Sequence, residues 1–125
     1  MKALTLEEGQ IITNCIAEII DPKHQYSIRK YRRTCAFTWD TFAEGKRRVI
    51  GVTPSTLKTH STNGFIRVIL HEIVHFVHDQ RYRKRLDLLR KNRSHRKTFQ
   101  KLESKLKVEL ESVYGELLPV HCWDD

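Results

Sequence analysis

The stretch that most constrains this chain of 125 residues runs Val68-Ile69-Leu70-His71-Glu72-Ile73-Val74-His75-Phe76-Val77-His78. Around it Ile66, Ile69, Leu70, Ile73, Val74 and Val77 recur at intervals of three and four, the period of a buried helix face. Inside it, His71-Glu72-Ile73-Val74-His75 sets two imidazoles one helical turn apart on a single face. Both can present a ring nitrogen to one zinc ion at about 2.0–2.1 Å. Glu72 then stands beside the first of them, placed as a general base for water activated by the ion. With 7 histidines in 125 residues, a shuffled chain would show H-E-x-x-H by chance roughly three times in a hundred. A chance match would seldom fall in the most apolar helical run of the chain.

Two histidines do not complete such a site, which takes three protein ligands and keeps one position open. His95 heads the next helical pattern, in register with Phe99 and Leu102, and comes from a second element. It is the expected third ligand, with Glu103 as the alternative and His60, His24, His121 and Asp87 as weaker ones. His78 follows His75 by three residues, and a rigid helix does not wrap three such side chains around one ion, so it is expected at the rim or just outside the ligands. The H-E-x-x-H-x-x-G-x-x-H pattern fails, because the chain has His78 and Arg81 where glycine and histidine are required. The three-histidine template of the small ribosome-associated endoribonucleases fails at Arg81 too.

The elements around this helix read as α+β in one domain over 1–125, with a tail from about residue 115. Thr5 and Glu8 form a capping box for an N-terminal helix whose inner face carries Ile11, Ile12, Cys15, Ile16, Ile19 and Ile20. Asp21-Pro22 ends that helix. Cys35, Phe37 and Trp39 alternate as a strand, Ala43 to Lys46 make a turn, and Arg47 to Val52 make a second strand. Tyr26 to Arg29 is a candidate third, and the small sheet is expected to be antiparallel. Thr53-Pro54-Ser55 opens a short helix through Leu57, and Ser61 to Asn63 offer caps for the H-E-x-x-H helix. Residues 81–92 are either further helix or loop. In the last helix Phe99, Leu102, Leu106, Leu110 and Val113 recur behind Ser94 and His95, and Tyr114-Gly115 marks its end.

The net charge of +8 points to phosphate-rich partners. It is concentrated: between residues 81 and 97, Arg81, Arg83, Lys84, Arg85, Arg90, Lys91, Arg93, Arg96 and Lys97 face a single acid, Asp87. This segment is the expected nucleic-acid-binding rim, beside the metal site. The 3 cysteines, Cys15, Cys35 and Cys122, form no C-x-x-C pair, which excludes a zinc ribbon and a disulfide framework. Cys15 and Cys35 are expected as buried thiols. No apolar run approaches the roughly 20 residues that span a bilayer, and residues 1–8 read as a helix start, so the expected location is the cytoplasm, or the nucleus of a eukaryote.

From about Ala36 to Leu102 the chain resembles the SprT-like zinc metalloproteases, the Spartan-like group that acts on DNA–protein crosslinks. The resemblance rests on a hairpin followed by Ile50-Gly51-Val52-Thr53-Pro54-Ser55-Thr56-Leu57. To this it adds Leu70-His71-Glu72-Ile73-Val74-His75, then a histidine four residues before an aromatic, His95 and Phe99. It implies a zincin-like domain, one zinc ion on His71, His75 and His95, Glu72 as catalytic base, and a DNA-associated protein as substrate. The chain departs from the family pattern at Arg96, often glycine there, and in having no zinc ribbon. The competing class is a non-catalytic, zinc-stabilised nucleic-acid-binding module, in which the same histidines only hold the fold. A metalloenzyme acting on a non-peptide substrate is a third.

Overall fold

The computed structural model describes residues 4–30, 41–44, 47–54, 57, 62–89 and 97–117, with 41–44 and 79–89 described by their backbone alone. The elements are α1 (Leu6–Ile20), β1 (Gln25–Lys30), β2 (Thr41–Glu44), β3 (Arg47–Val52), α2 (Thr62–Leu89) and α3 (Lys97–Tyr114). The class is α+β, as the period changes along the sequence imply.

The three-stranded sheet has the order β1-β3-β2. β2 and β3 form an antiparallel hairpin with Glu44 opposite Arg47. β1 lies parallel to β3, with Gln25 opposite Arg47 and Lys30 opposite Val52. The expectation of an antiparallel sheet is thus corrected to a mixed one. The cause lies in β3: Val49, Ile50, Gly51 and Val52 are buried in succession, which demands cover on both faces and favours the central position. With β3 in the middle, β1 meets the strand that runs its own way. Over Arg47–Ile50 the central β3 has a neighbour on each side, so that stretch offers no edge to an extended substrate. The turn expected over Ala43–Lys46 shrinks, because β2 continues to Glu44.

α1 begins as its capping box requires: Thr5 Oγ1 accepts from Glu8 N at 3.0 Å, and Glu8 Oε1 accepts from Thr5 N at 3.0 Å. Its buried face is Gly9, Thr13, Ile16, Ala17 and Ile20. The expected stripe was therefore rotated: Ile11 is 63% exposed, and Cys15 is exposed rather than buried. Small residues won the inward positions because α1 lies close to its neighbours. A Cβ on Gly9 would sit 2.8 Å from Ile28 Cδ1 and 3.1 Å from Phe65 Cζ. Pro54 and Leu57 are helical, as expected of the Thr53-Pro54 start, and Leu57 N donates to Thr53 O.

α2 is the centre of the core. Phe65, Ile66, Val68, Ile69, Leu70, Ile73 and Val74 are all buried, and Val77 is partly so. The helix runs on to Leu89, which settles residues 81–89 as helix. α3 packs Phe99, Leu102, Leu106 and Leu110 against it, whereas Val113 is 60% exposed. Gly115 closes α3 at φ +80°, the left-handed cap that glycine adopts without strain. Leu117 beyond it is still buried, inside the expected tail. Among the described residues no helix is long and apolar enough to cross a membrane. The Cys35–Trp39 strand and the thiols of Cys35 and Cys122 lie outside the described residues.

Gln10 of α1 covers the outer edge of β1. Its Nε2 donates to Tyr26 O at 3.0 Å, and its Oε1 accepts from Ile28 N at 2.9 Å. One side-chain amide thus answers two backbone groups as a neighbouring strand would. Gln10→Leu removes both bonds and should lower the unfolding free energy by about 1–3 kcal/mol. The Ile28 amide should exchange faster with solvent, measured by hydrogen exchange; an unchanged Ile28 rate would show that the amide bridge contributes nothing.

Candidate metal centre

α2 carries His71, Glu72 and His75 into the packed interior, because Leu70, Ile73 and Val74, which flank them on the helix, are buried. His71 and Glu72 are 5% and 2% exposed, and His75 is partly buried. One ligand atom from each of the three comes within 4.8 Å of the others. The His71 and His75 rings stand 4.8 Å apart, nearly perpendicular at 89°. Two nitrogens on a tetrahedral zinc sit roughly 3.3 Å apart, within the 4.8 Å that bounds the spacing of these ligand atoms. Two imidazoles and a carboxylate are also the donor chemistry that zinc takes. The residues fit the ion.

The floor of the cluster is Phe99, at the head of α3. Its ring centroid lies 5.2 Å from that of His71, 4.7 Å from His75 and 5.5 Å from His78. Of the two places expected for His78, the rim is excluded: it is 1% exposed, and its Nε2 meets Thr98 Oγ1 at 2.8 Å. It ties α2 to the first turn of α3. The burial arises because α3 crosses α2 at this level and covers the third histidine.

Glu103, the alternative ligand, does other work. Its Oε2 accepts from Arg67 Nη1 at 2.8 Å and lies 2.9 Å from His71 Nδ1. Burial would raise this carboxyl, but the hydrogen bonds from His71 and Arg67, with the Arg67 charge, outweigh it and hold the group down at about 2. Sequence reading found Glu103 but not Arg67. The available signal was its spacing, four residues before His71 and so on the same helix face.

A second polar cluster joins the end of α1 to the sheet. Asp21 accepts from Tyr26 Oη at 2.6 Å and from Arg48 Nη1 at 3.2 Å, and pairs with His24 Nδ1 at 2.9 Å. Burial first, and then the Asp21 carboxylate, push the Tyr26 phenol well above its ordinary value against the pull of Arg48. His24 is thereby placed in this cluster, away from any ligand role at His71 and His75.

His95, the expected third ligand, lies outside the described residues, as do Arg90, Lys91, Arg93, Arg96 and the candidates His60 and His121. Arg81, Arg83, Lys84, Arg85 and Asp87 are on α2, described by backbone alone, and Lys97 is exposed at the start of α3. Comparison of the chain with protein-family models, with curated proteins and with solved structures finds no match.

A folded-state carboxyl held below its unfolded value stabilises the fold above the unfolded value and loses that contribution as pH falls through the folded one. Between the ordinary 4.5 of a glutamate and about 2, the wild type should lose stability more steeply than Glu103→Gln. Urea midpoints taken at steps across that window check this. Parallel slopes would remove Glu103 from the acid response.

Proposed function

We propose that the chain is a zinc-dependent peptidase that hydrolyses peptide bonds in proteins bound or crosslinked to DNA. One observation carries the reading: His71, Glu72 and His75 bring ligand atoms within 4.8 Å of one another on a buried helix. Its support in sequence is the resemblance to the SprT-like metalloproteases. His71 and His75 would hold the ion with His95 as third ligand. In favour of His95, Thr98 and Phe99 at the head of α3 pack against His78 and the two ligand rings.

A divalent ion held there supplies Lewis acidity, which makes water more acidic and a bound carbonyl more electrophilic. Glu72 does the proton work. It takes the proton from the attacking water and hands it to the departing amine. Burial in the packed core keeps bulk water from competing for the carboxylate. Glu72→Gln should retain zinc and lose peptide hydrolysis altogether, measured as metal content beside casein or histone cleavage. Cleavage at the wild-type rate would remove Glu72 from the chemistry. His95→Ala, by contrast, should lose zinc; full metal content in that variant would exclude His95 as a ligand.

The nucleic-acid half of the proposal rests on the far end of α2. At 1.5 Å per residue, Arg81 to Arg85 begin about 9 Å along the helix axis from His75. A duplex lying on Arg81, Arg83, Lys84 and Arg85, with Lys97 of α3 as a further phosphate contact, would bring a bound protein close to the metal centre. Each phosphate neutralised contributes about 0.9 to the slope of log affinity against log salt. Replacing Arg81, Lys84 and Arg85 together by alanine should therefore lower that slope by about 2–3 in a duplex-binding titration. An unchanged slope would place the interface elsewhere.

A further inference from the structure

We propose that Glu103 is the positioning residue of the metal centre: clamped by Arg67, its carboxylate accepts a hydrogen bond from His71 Nδ1–H and turns the opposite ring nitrogen, Nε2, to the ion. The proposal rests on His71 being a metal ligand and adds what fixes its orientation. Arg67 and His71 are one turn apart on α2 and reach the same atom, Glu103 Oε2, on α3, at 2.8 and 2.9 Å. All three side chains are nearly enclosed, at 13%, 14% and 6% exposure for Arg67, Glu103 and His71.

The proton assignment follows by elimination. A guanidinium is always charged and only donates, so the oxygen it grips belongs to an ionised carboxylate. An ionised carboxylate only accepts. The hydrogen in the His71–Glu103 contact is therefore on His71 Nδ1, and a neutral ring protonated there keeps its lone pair on Nε2. His71 Nε2 is buried. The ring cannot swing without giving up a charge-assisted bond in a dry setting, and outer partners of this kind change metal affinity by about 10–100-fold. Arg67 has its own part: without it, the same carboxylate would face burial with one neutral partner.

The test reads the tautomer before the metal. In metal-free protein, nitrogen-15 spectra of His71 should show the Nδ1–H form in the wild type and lose it in Glu103→Leu. Co2+ affinity should fall about 10–100-fold in Glu103→Leu, and less in Glu103→Gln, which keeps an acceptor oxygen. Arg67→Met leaves the carboxylate unclamped and should weaken Co2+ in the same direction, a second route if Glu103→Leu does not fold. A residue that merely joins α2 to α3 would lower the melting temperature of its variants without moving the nitrogen signal. Retention of the Nδ1–H form and of wild-type Co2+ affinity in Glu103→Leu overturns the proposal alone. A wild type that binds no Co2+ overturns the metal reading and the proposal together.

Discussion

The packing of α2 on all its sides between Phe65 and Val74 is the constraint from which the rest follows. From Phe65 to Val74 only Arg67 is not fully buried, so α1, the sheet and α3 must together enclose the helix. A polar side chain on such a helix cannot be left to solvent; burying it without a partner costs more than a typical hydrogen bond returns. Arg67, His71 and His78 each meet that demand by reaching α3, at Glu103 or Thr98. Enclosure therefore decides which parts of α3 face α2, and it concentrates the polar chemistry of the chain along one line of contact.

The two polar clusters differ in kind. Around Asp21, every named member bonds to another: the carboxylate takes Tyr26, His24 and Arg48, and Arg48 Nη2 stands 3.2 Å from His24 Nε2. Both nitrogens of His24 are thus engaged, by an acceptor on one side and a donor on the other. Phe76 completes the assembly, with the guanidinium 5.2 Å from its ring centre. Such a cluster locks the end of α1 to β1 and β3. At His71, Glu72 and His75 the groups that converge are two imidazoles and a carboxylate, with ligand atoms within 4.8 Å of one another. Two imidazoles and a carboxylate so close together are a donor set that a divalent cation can take.

Much of this was legible in the sequence where one signal sufficed. The capping box, the 47–52 strand, the apolar face of α2 and the Phe99–Leu110 stripe each rest on local period or local bonding. What escaped reading depended on neighbours distant in the chain. Ile11 and Cys15 look like core residues by spacing, but the approach of Ile28 and Phe65 to Gly9 turned α1 toward its small face. The direction of β1 could not be read from its own residues, because it depends on which strand takes the centre of the sheet. The spacing of His78 on its own helix leaves it at the rim or just outside the ligands, and only the crossing of α3 makes it a buried tie.

That last case bears on how the site is built. A helix can offer ligands at a spacing of four by itself, but it cannot set their ring angles; those need a surface to press on and an acceptor to hold. α3 provides both within one turn of itself, Phe99 against the rings and Glu103 on His71 Nδ1. The two are four residues apart and so lie on one face. The same face continues as Leu106 and Leu110, which anchor it in the core. Shifting α3 by one turn along α2 would cost the buried leucines their seats before it cost the histidines theirs. Core packing thus holds the geometry of the candidate centre, and the placement of His71 and His75 is inherited from residues with no chemistry of their own.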